Sequence, residues 1–223
     1  MKEYSIFDII GPNMIGPSSS HTAGACRIGN VARKIAGKDI KKASFLLHGS
    51  FAKTYQGHGT DRALLGGILG FDTDDDRIRN SFEIAKARGI EFEFEETDLG
   101  EVHANTVKII IDKHDKSQVQ VLGSSIGGGN IIISEINGLE LEFTGEYTTI
   151  IISHKDKPGV IAGVTKILAE YLINIAFMRV YRHGKGQRAF MIIETDDDIN
   201  SKVIEDIEEI KDVANAYLVA IRN

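Results

Sequence analysis

The segment Gly16–Gly24, GPSSSHTAG, sets three consecutive serines, a histidine and a threonine between Pro17 and Gly24. Ser18, Ser19, Ser20 and Thr22 offer hydroxyls, and His21 offers an imidazole that gains or loses a proton near neutrality. One chemistry this permits is a helix cap, in which a hydroxyl accepts a hydrogen bond from a free amide and a proline stiffens the approach. A cap uses one hydroxyl of the four. The other is an anion pocket, in which free amides, the helix dipole and the remaining hydroxyls receive a carboxylate beside a proton-transfer group. A Ser–His hydrolase would need a GxSxG elbow after a strand, with its acid and histidine downstream, and that arrangement is absent.

Further along, HGSFAKTYQGHGTDRA, His48 to Ala63, contains two His-Gly pairs and reads as a loop whose backbone can approach another group closely. His48, His58 and Asp61 share it. With His21 they resemble a metal inventory, but no HExxH-type spacing supports a metal site, and none is expected. SSIGGGN, Ser124 to Asn130, lacks the GxGxxG spacing and a following helix, so it is no dinucleotide loop. Gly127, Gly128 and Gly129 form either a hairpin bend or a bare wall that admits a ligand or partner chain; both readings stand. DTDDD, Asp72 to Asp76, imitates a calcium loop, but Arg77 occupies the position where such a loop needs glycine. It is expected to be a solvated loop that caps the next helix. In SHKDKPGV, Pro158 and Gly159 shape a strand-to-helix connection whose helix start presents free amides.

The elements that must carry these residues are legible from periodicity. Ile28, Val31, Ala32 and Ile35 recur at helical spacing up to Gly37. KASFLLHGS predicts a strand running into a loop. Thr60 and Asp61 stand where a cap belongs, ahead of an apolar run from Ala63 to Leu69, and Asp76–Arg88 predicts another helix closed by Gly89. IEFEFEE alternates with Ile90, Phe92 and Phe94 on one face, as a half-buried strand does. Val107–Ile111 and Val119–Leu122 are further strands, and Asn137-Gly138 is the two-residue turn of a hairpin. From Tyr147 onward the order is strand, helix, strand, strand, helix, strand, that is βαββαβ. The predicted class is α+β, with an N-terminal α/β domain over residues 1–145 and a small domain over residues 146–223.

The chain has 223 residues and a formal net charge of −6, which argues against a nucleic-acid partner, since phosphate binding needs a basic face. No apolar run approaches the roughly 20 residues of a membrane span, and the opening MKEYSIFDIIGPN does not read as a signal peptide, so a cytoplasmic protein is the expectation. Cys26 is the sole cysteine. An iron–sulfur centre usually takes about three or four thiolates, so any such centre would have to be ligated by another chain.

Two resemblances add to this. The last 75 or so residues resemble an ACT domain, a ferredoxin-like βαββαβ module that binds amino acids at paired-domain interfaces through the loop after its first strand. His154, Pro158 and Gly159 match that loop, with Asp156 where the HxNxPG version has asparagine. The resemblance implies an effector site at His154, Asp156 and Gly159 and homodimerisation through ACT domains. The first 145 or so residues resemble the β subunit of bacterial iron–sulfur-dependent L-serine dehydratases, through GPSSSHTAG, GHGTDRALLGG and SSIGGGNI in order. They also resemble the allosteric substrate-binding domain of some phosphoglycerate dehydrogenases. A non-catalytic amino-acid-sensing regulatory protein is therefore the competing reading.

The dehydratase resemblance implies conversion of L-serine to pyruvate and ammonia, with a 4Fe-4S cluster held by a separate α subunit. By analogy with aconitase-type lyases, an iron of that cluster acts as Lewis acid on the leaving hydroxyl while a base takes the Cα proton. It implies that Ser18, Ser19, Ser20, His21 and Thr22 face that cluster, with the hydroxyls binding substrate and His21 as base or acid. His58, Thr60, Asp61 and Gly127–Gly129 would stand behind them or at the subunit interface. The isolated chain is expected to be colourless and without serine deaminase activity. Ammonia release by the pure chain alone would contradict the subunit reading.

Overall fold

A computed structural model describes residues 13–144 and 147–219. The opening dodecapeptide, read as no signal peptide, and the domain boundary expected at 145/146 lie outside the described residues. The chain packs as two compact units that divide at Gly138–Leu139.

In the first unit, a wide π-helical turn, Ser19–Gly24, leads into α1 (Ala25–Ala36). There follow β1 (Ile40–Leu47), α2 (Gly49–His58), α3 (Thr60–Leu69), a 3-10 turn at Asp76–Asn80, α4 (Ser81–Ala87), β2 (Glu91–Glu96), β3 (Thr106–Lys113), β4 (Gln118–Gly127) and β5 (Asn130–Ile136). Their strands are ordered β2-β1-β3-β4-β5 in the sheet, and β6 (Leu139–Phe143) opens the second unit. β1 pairs in parallel with β2 and antiparallel with β3, and β3, β4 and β5 continue antiparallel. The alternation Val107, Ile109, Ile111 on β3 is fully buried, as are Ile28 of α1 and Leu64, Leu65 and Ile68 of α3. The apolar face of α1 lies over β3, β4 and β5, and α3, buried along Ala63–Leu69, packs on α1.

α1 and α3 meet backbone to backbone. A Cβ added at Gly67 would lie 2.2 Å from the Cys26 carbonyl oxygen, and one at Gly29 would lie 2.3 Å from that of Leu64. Glycine is required there by proximity, because both residues are helical. The contact fixes the N-terminal end of α1, where GPSSSHTAG lies. Gly24 is held as closely: a Cβ there would meet Ser125 Oγ of β4 at 2.1 Å.

The second unit holds β7 (Thr148–Lys155), α5 (Val160–Glu170), β8 (Ile175–Arg182), β9 (Arg188–Thr195), α6 (Ser201–Glu208) and β10 (Val213–Val219). This is the expected βαββαβ order. Its antiparallel sheet runs β10-β7-β9-β8, the ferredoxin-like arrangement. Ile150, Ile152, Met191 and Ile193 pack with Val164, Leu168, Val203 and Ile207 of the two helices. The mixed architecture agrees with the α+β class. Among the described residues no helix is long and apolar enough to cross a membrane.

Three local expectations need correction. The segment expected as a loop from His48 is helical over Gly49–His58, because Gly49 (φ +58°) and Gly59 (φ +70°) absorb the turns at its ends and let the run between them close into a helix. Thr60 and Asp61 do not cap α3: Gly59 precedes the helix, no side chain makes a cap hydrogen bond, and Asp61 accepts from the adjacent Arg62 amide at 2.7 Å. The helix expected from Asp76 opens as a 3-10 turn, since Asp75 caps the Arg77 amide at 2.9 Å and tightens it.

The α1–α3 contact makes a prediction. Gly67→Ala should destabilise the first unit by about 1–3 kcal/mol, or roughly 2–12 °C in Tm, whereas Gly57→Ala should be neutral or stabilising by about 0.5–1 kcal/mol. Gly57 is exposed, helical and has nothing near its added Cβ. Thermal unfolding of the two variants followed by circular dichroism checks this; equal Tm values would contradict it.

Candidate functional site

Ser18 supplies the one hydroxyl that a cap needs: its Oγ accepts from the His21 amide at 3.2 Å, and Ser18 itself is extended (φ −141°, ψ 122°). The wide turn that follows differs from an ordinary helix start, and such π-type turns are frequent at functional sites. Ser19 and Ser20 sit half-buried on it. Thr22 is buried and donates its Oγ1 to the His58 carbonyl at 3.3 Å, so the turn is tied to the C-terminal end of α2.

His21 is the centre of the cluster. Its Nδ1 lies 3.4 Å from Ser18 Oγ and its Nε2 lies 3.1 Å from Ser50 Oγ. The His58 ring stands 4.9 Å away, centroid to centroid, and Phe51 meets the imidazole edge-on at 5.3 Å. Burial first, and then the neighbouring His58, lower the His21 pKa below 6.5, since two imidazoles this close resist both being charged. His21 is therefore held neutral, in the state that can accept a proton. Among the described residues it hydrogen-bonds to hydroxyls and to no carboxylate, so no orienting acid of a Ser–His–Asp triad stands there. The outer side of His58 opens on a cleft lined by Lys53, Tyr55, Gln56 and Glu96.

The remaining sequence candidates divide. Thr60 is fully buried with its Oγ1 unpartnered, and Asp61 is buried among groups that raise its carboxyl pKa by desolvation. Gly127, Gly128 and Gly129 form the β4–β5 turn, all with positive φ (+106°, +62° and +84°). His48 stands apart: it starts α2 while His58 ends it, and its Nδ1 accepts from the Leu99 amide at 3.1 Å. Among the described residues no group of His, Cys, Asp and Glu could hold a metal ion. Cys26 is fully buried and its thiol is pushed up to about 12, chiefly by burial, so it is no thiolate ligand.

Two residues escaped the sequence reading. Ser50 lies within the His48–Ala63 segment, whose histidines drew the reading, and reaches His21 because Gly49–His58 closes into α2. Arg27 donates Nη1 to the Gly129 carbonyl at 2.9 Å, joining GPSSSHTAG to SSIGGGN. A charged residue within the apolar period of α1 was the available signal.

In the second unit His154 is buried on β7 and its Nδ1 donates to the Lys155 carbonyl at 2.8 Å, which leaves Nε2 as a buried acceptor without a partner. Asp156 accepts from Arg182 Nη1 at 2.9 Å, and Gly159 (φ +95°) starts α5.

Against known families, residues 5–88 match the serine dehydratase beta chain model and residues 148–212 the ACT domain model. A probable L-serine dehydratase beta chain of Bacillus subtilis is 47% identical over 220 residues, 99% of this chain and 100% of that protein. The chain belongs to the L-serine dehydratase beta chain family. A second beta chain of this family, from Peptoniphilus asaccharolyticus, is 47% identical over 197 residues, 88% of this chain and 89% of that one. A D-3-phosphoglycerate dehydrogenase of Methanocaldococcus jannaschii is 32% identical over 196 residues, 86% of this chain and 36% of that enzyme. The beta chain family resemblance read from the three motifs is thus correct, and the match to a lyase subunit agrees with it.

The neutral His21 carries a pH prediction. Its folded pKa lies below 6.5, so the folded state binds fewer protons than the unfolded state as pH falls past that value. The part of the stability that depends on this group is present above pH 6.5 and is lost on acidification toward the folded pKa. Imidazole resonances followed by NMR should show His21 titrating below 6.5, and His58→Gln should raise its midpoint without restoring it fully, because burial remains. A wild-type midpoint at or above 6.5 would contradict the geometry.

Proposed function

We propose that this chain is the β subunit of an L-serine ammonia-lyase, which converts L-serine to pyruvate and ammonia together with an α subunit that ligates a 4Fe-4S cluster. The observation that carries the reading is the His21 cluster, a neutral imidazole flanked by Ser18 and Ser50 on the very motif that the beta chain family shares. The thiol inventory fits a cluster ligated elsewhere, since Cys26 is sealed and protonated. When bound, such a cluster supplies Lewis-acid activation of the leaving hydroxyl.

This chain's own residues do the rest. The neutral His21 imidazole moves a proton on the substrate, with Ser50, 3.1 Å from Nε2, as its relay or resting partner. Ser18 holds the ring and the turn. Ser19, Ser20 and Thr22 line the approach, with Thr22 fixing His58 behind the imidazole. Elimination of water leaves aminoacrylate, whose tautomer hydrolyses to pyruvate and ammonia without further help from the protein.

The second unit is the regulatory module of this reading. β8 is an edge strand of its sheet and exposes Phe177 and Val180, a surface suited to pairing with a second copy. The buried Nε2 of His154 is the group that an effector's ammonium or hydroxyl would satisfy there. The similarity to a phosphoglycerate dehydrogenase favours one alternative, a chain that senses serine without acting on it.

Coexpression with a cysteine-rich α chain decides between the two. His21→Ala in the complex should lower kcat by roughly 10²–10⁴-fold with the cluster absorbance retained, the usual worth of a positioned acid or base. A residue that merely shapes a helix start predicts instead about 1 kcal/mol of lost stability and intact kinetics. A fully active, destabilised variant would overturn the assignment of His21, and a complex with no serine turnover at all would overturn the enzyme reading.

A further inference from the structure

Arg27 is 8% exposed, yet no carboxylate lies within ion-pair distance of its guanidinium among the described residues. Among the described residues its hydrogen-bond partner is a neutral group, the Gly129 carbonyl, and its buried Nε has none. Burial lowers its pKa, and the only charge-related neighbour that opposes this is Cys26, which is protonated. A buried charge left without a counter-charge is strongly unfavourable and is normally paired.

The position aggravates the imbalance. Arg27 lies in the first turn of α1, whose N-terminal end already carries partial positive charge. Side chains on a helix lean toward its N-terminus, so the guanidinium reaches back toward the wide turn at Ser19–Gly24. Ser125, fully buried, closes against Gly24 on that turn, and its hydroxyl is also unpartnered. Two orphaned donors, one of them charged, thus belong to the N-terminal end of α1: Arg27 in its first turn and Ser125 against Gly24. The Gly127–Gly129 turn adjoins them: Gly127 has nothing near an added Cβ, and the Gly129 carbonyl accepts from Arg27.

We infer that Arg27 is the anchor for the carboxylate of the amino-acid substrate, received beneath the Gly127–Gly129 turn with the Ser125 hydroxyl as second donor. The inference rests on the proposed lyase function and adds a binding group to it. A guanidinium suits the task because its planar donors match the two oxygens of a carboxylate. An anion there supplies the missing counter-charge and completes the helix N-terminus. The arrangement leaves the substrate's Cα side toward the His21 turn, from which Arg27 is separated by less than two helical turns of chain.

The test uses the complex of the full chain with its α subunit. Arg27→Gln should raise KM for L-serine by roughly 10–100-fold while kcat changes little, with Arg27→Lys intermediate because it keeps the charge and loses the fork. Inhibition supplies a readout that loss of packing would not give. Propionate, a bare carboxylate, should lose potency against Arg27→Gln, whereas serinol, which carries a hydroxymethyl group in place of the carboxylate, should inhibit wild type and variant alike. Equal loss of both inhibitors, or an unchanged KM, overturns the inference. So does a variant that no longer co-elutes with the α subunit, since Arg27 would then pair with a carboxylate of that chain. Wild-type turnover in the same preparation keeps these outcomes separate from failure of the lyase reading itself.

Discussion

The distance between α1 and α3 governs the first unit. Gly67 and Gly29 let the two backbones approach until the Cys26 and Leu64 carbonyls occupy the places where side chains would be. Because α1 is held this way along one face and by Gly24 against Ser125 on another, its N-terminal turn has little freedom to move. The hydroxyls and the imidazole of the shared motif are therefore presented by a rigid support, which is what a site that must hold a proton acceptor in place requires.

Upon that support the electrostatics are one-sided. His21 and His58 stand ring against ring, Arg27 lies a few residues on, and the helix dipole adds its positive end, yet among the described residues no carboxylate is hydrogen-bonded to any of the three side chains. The same crowding has two consequences. It keeps His21 neutral, so that a base exists at ordinary pH, and it leaves a region ready to receive a negative charge. Asp61, the nearest acidic residue in the motif set, is itself pushed toward its neutral form by burial and accepts only a backbone amide. A fold that merely needed a helix start would have no reason to accumulate these costs, each of which is usually relieved by a ligand or partner.

The second unit stands on different physics. Its ladder of isoleucines on β7 and β9 and the two helices across them make a self-sufficient core, and its polar features sit at the rim. There Asp156 is committed to Arg182, and His154 is sealed with one ring nitrogen unsatisfied. The exposed edge at β8 and this buried acceptor are the two features of the unit that the core does not explain.

The sequence by itself determined the class of the fold. The period of 3.6 residues in α1 and of two in β2, the Asn-Gly turn and the βαββαβ order are local signals, because each element depends on residues within one turn or one strand of each other. It also determined that one thiol cannot hold a cluster and that GPSSSHTAG carries more hydroxyls than a helix start uses, though not that Ser18 is the one that caps. What only the tertiary structure decided is which residues meet. Ser50 and Phe51 reach His21 because a segment that reads as a loop closes into α2, a choice made by two glycines of positive φ rather than by propensity. His48 and His58 look equivalent in sequence, yet the length of that helix separates them and brings only His58 to the site. Arg27 reads as an odd charge on an apolar face until Gly129, distant in the chain, accepts its hydrogen bond. Contacts between residues far apart in sequence arise from packing, and no local pattern encodes them.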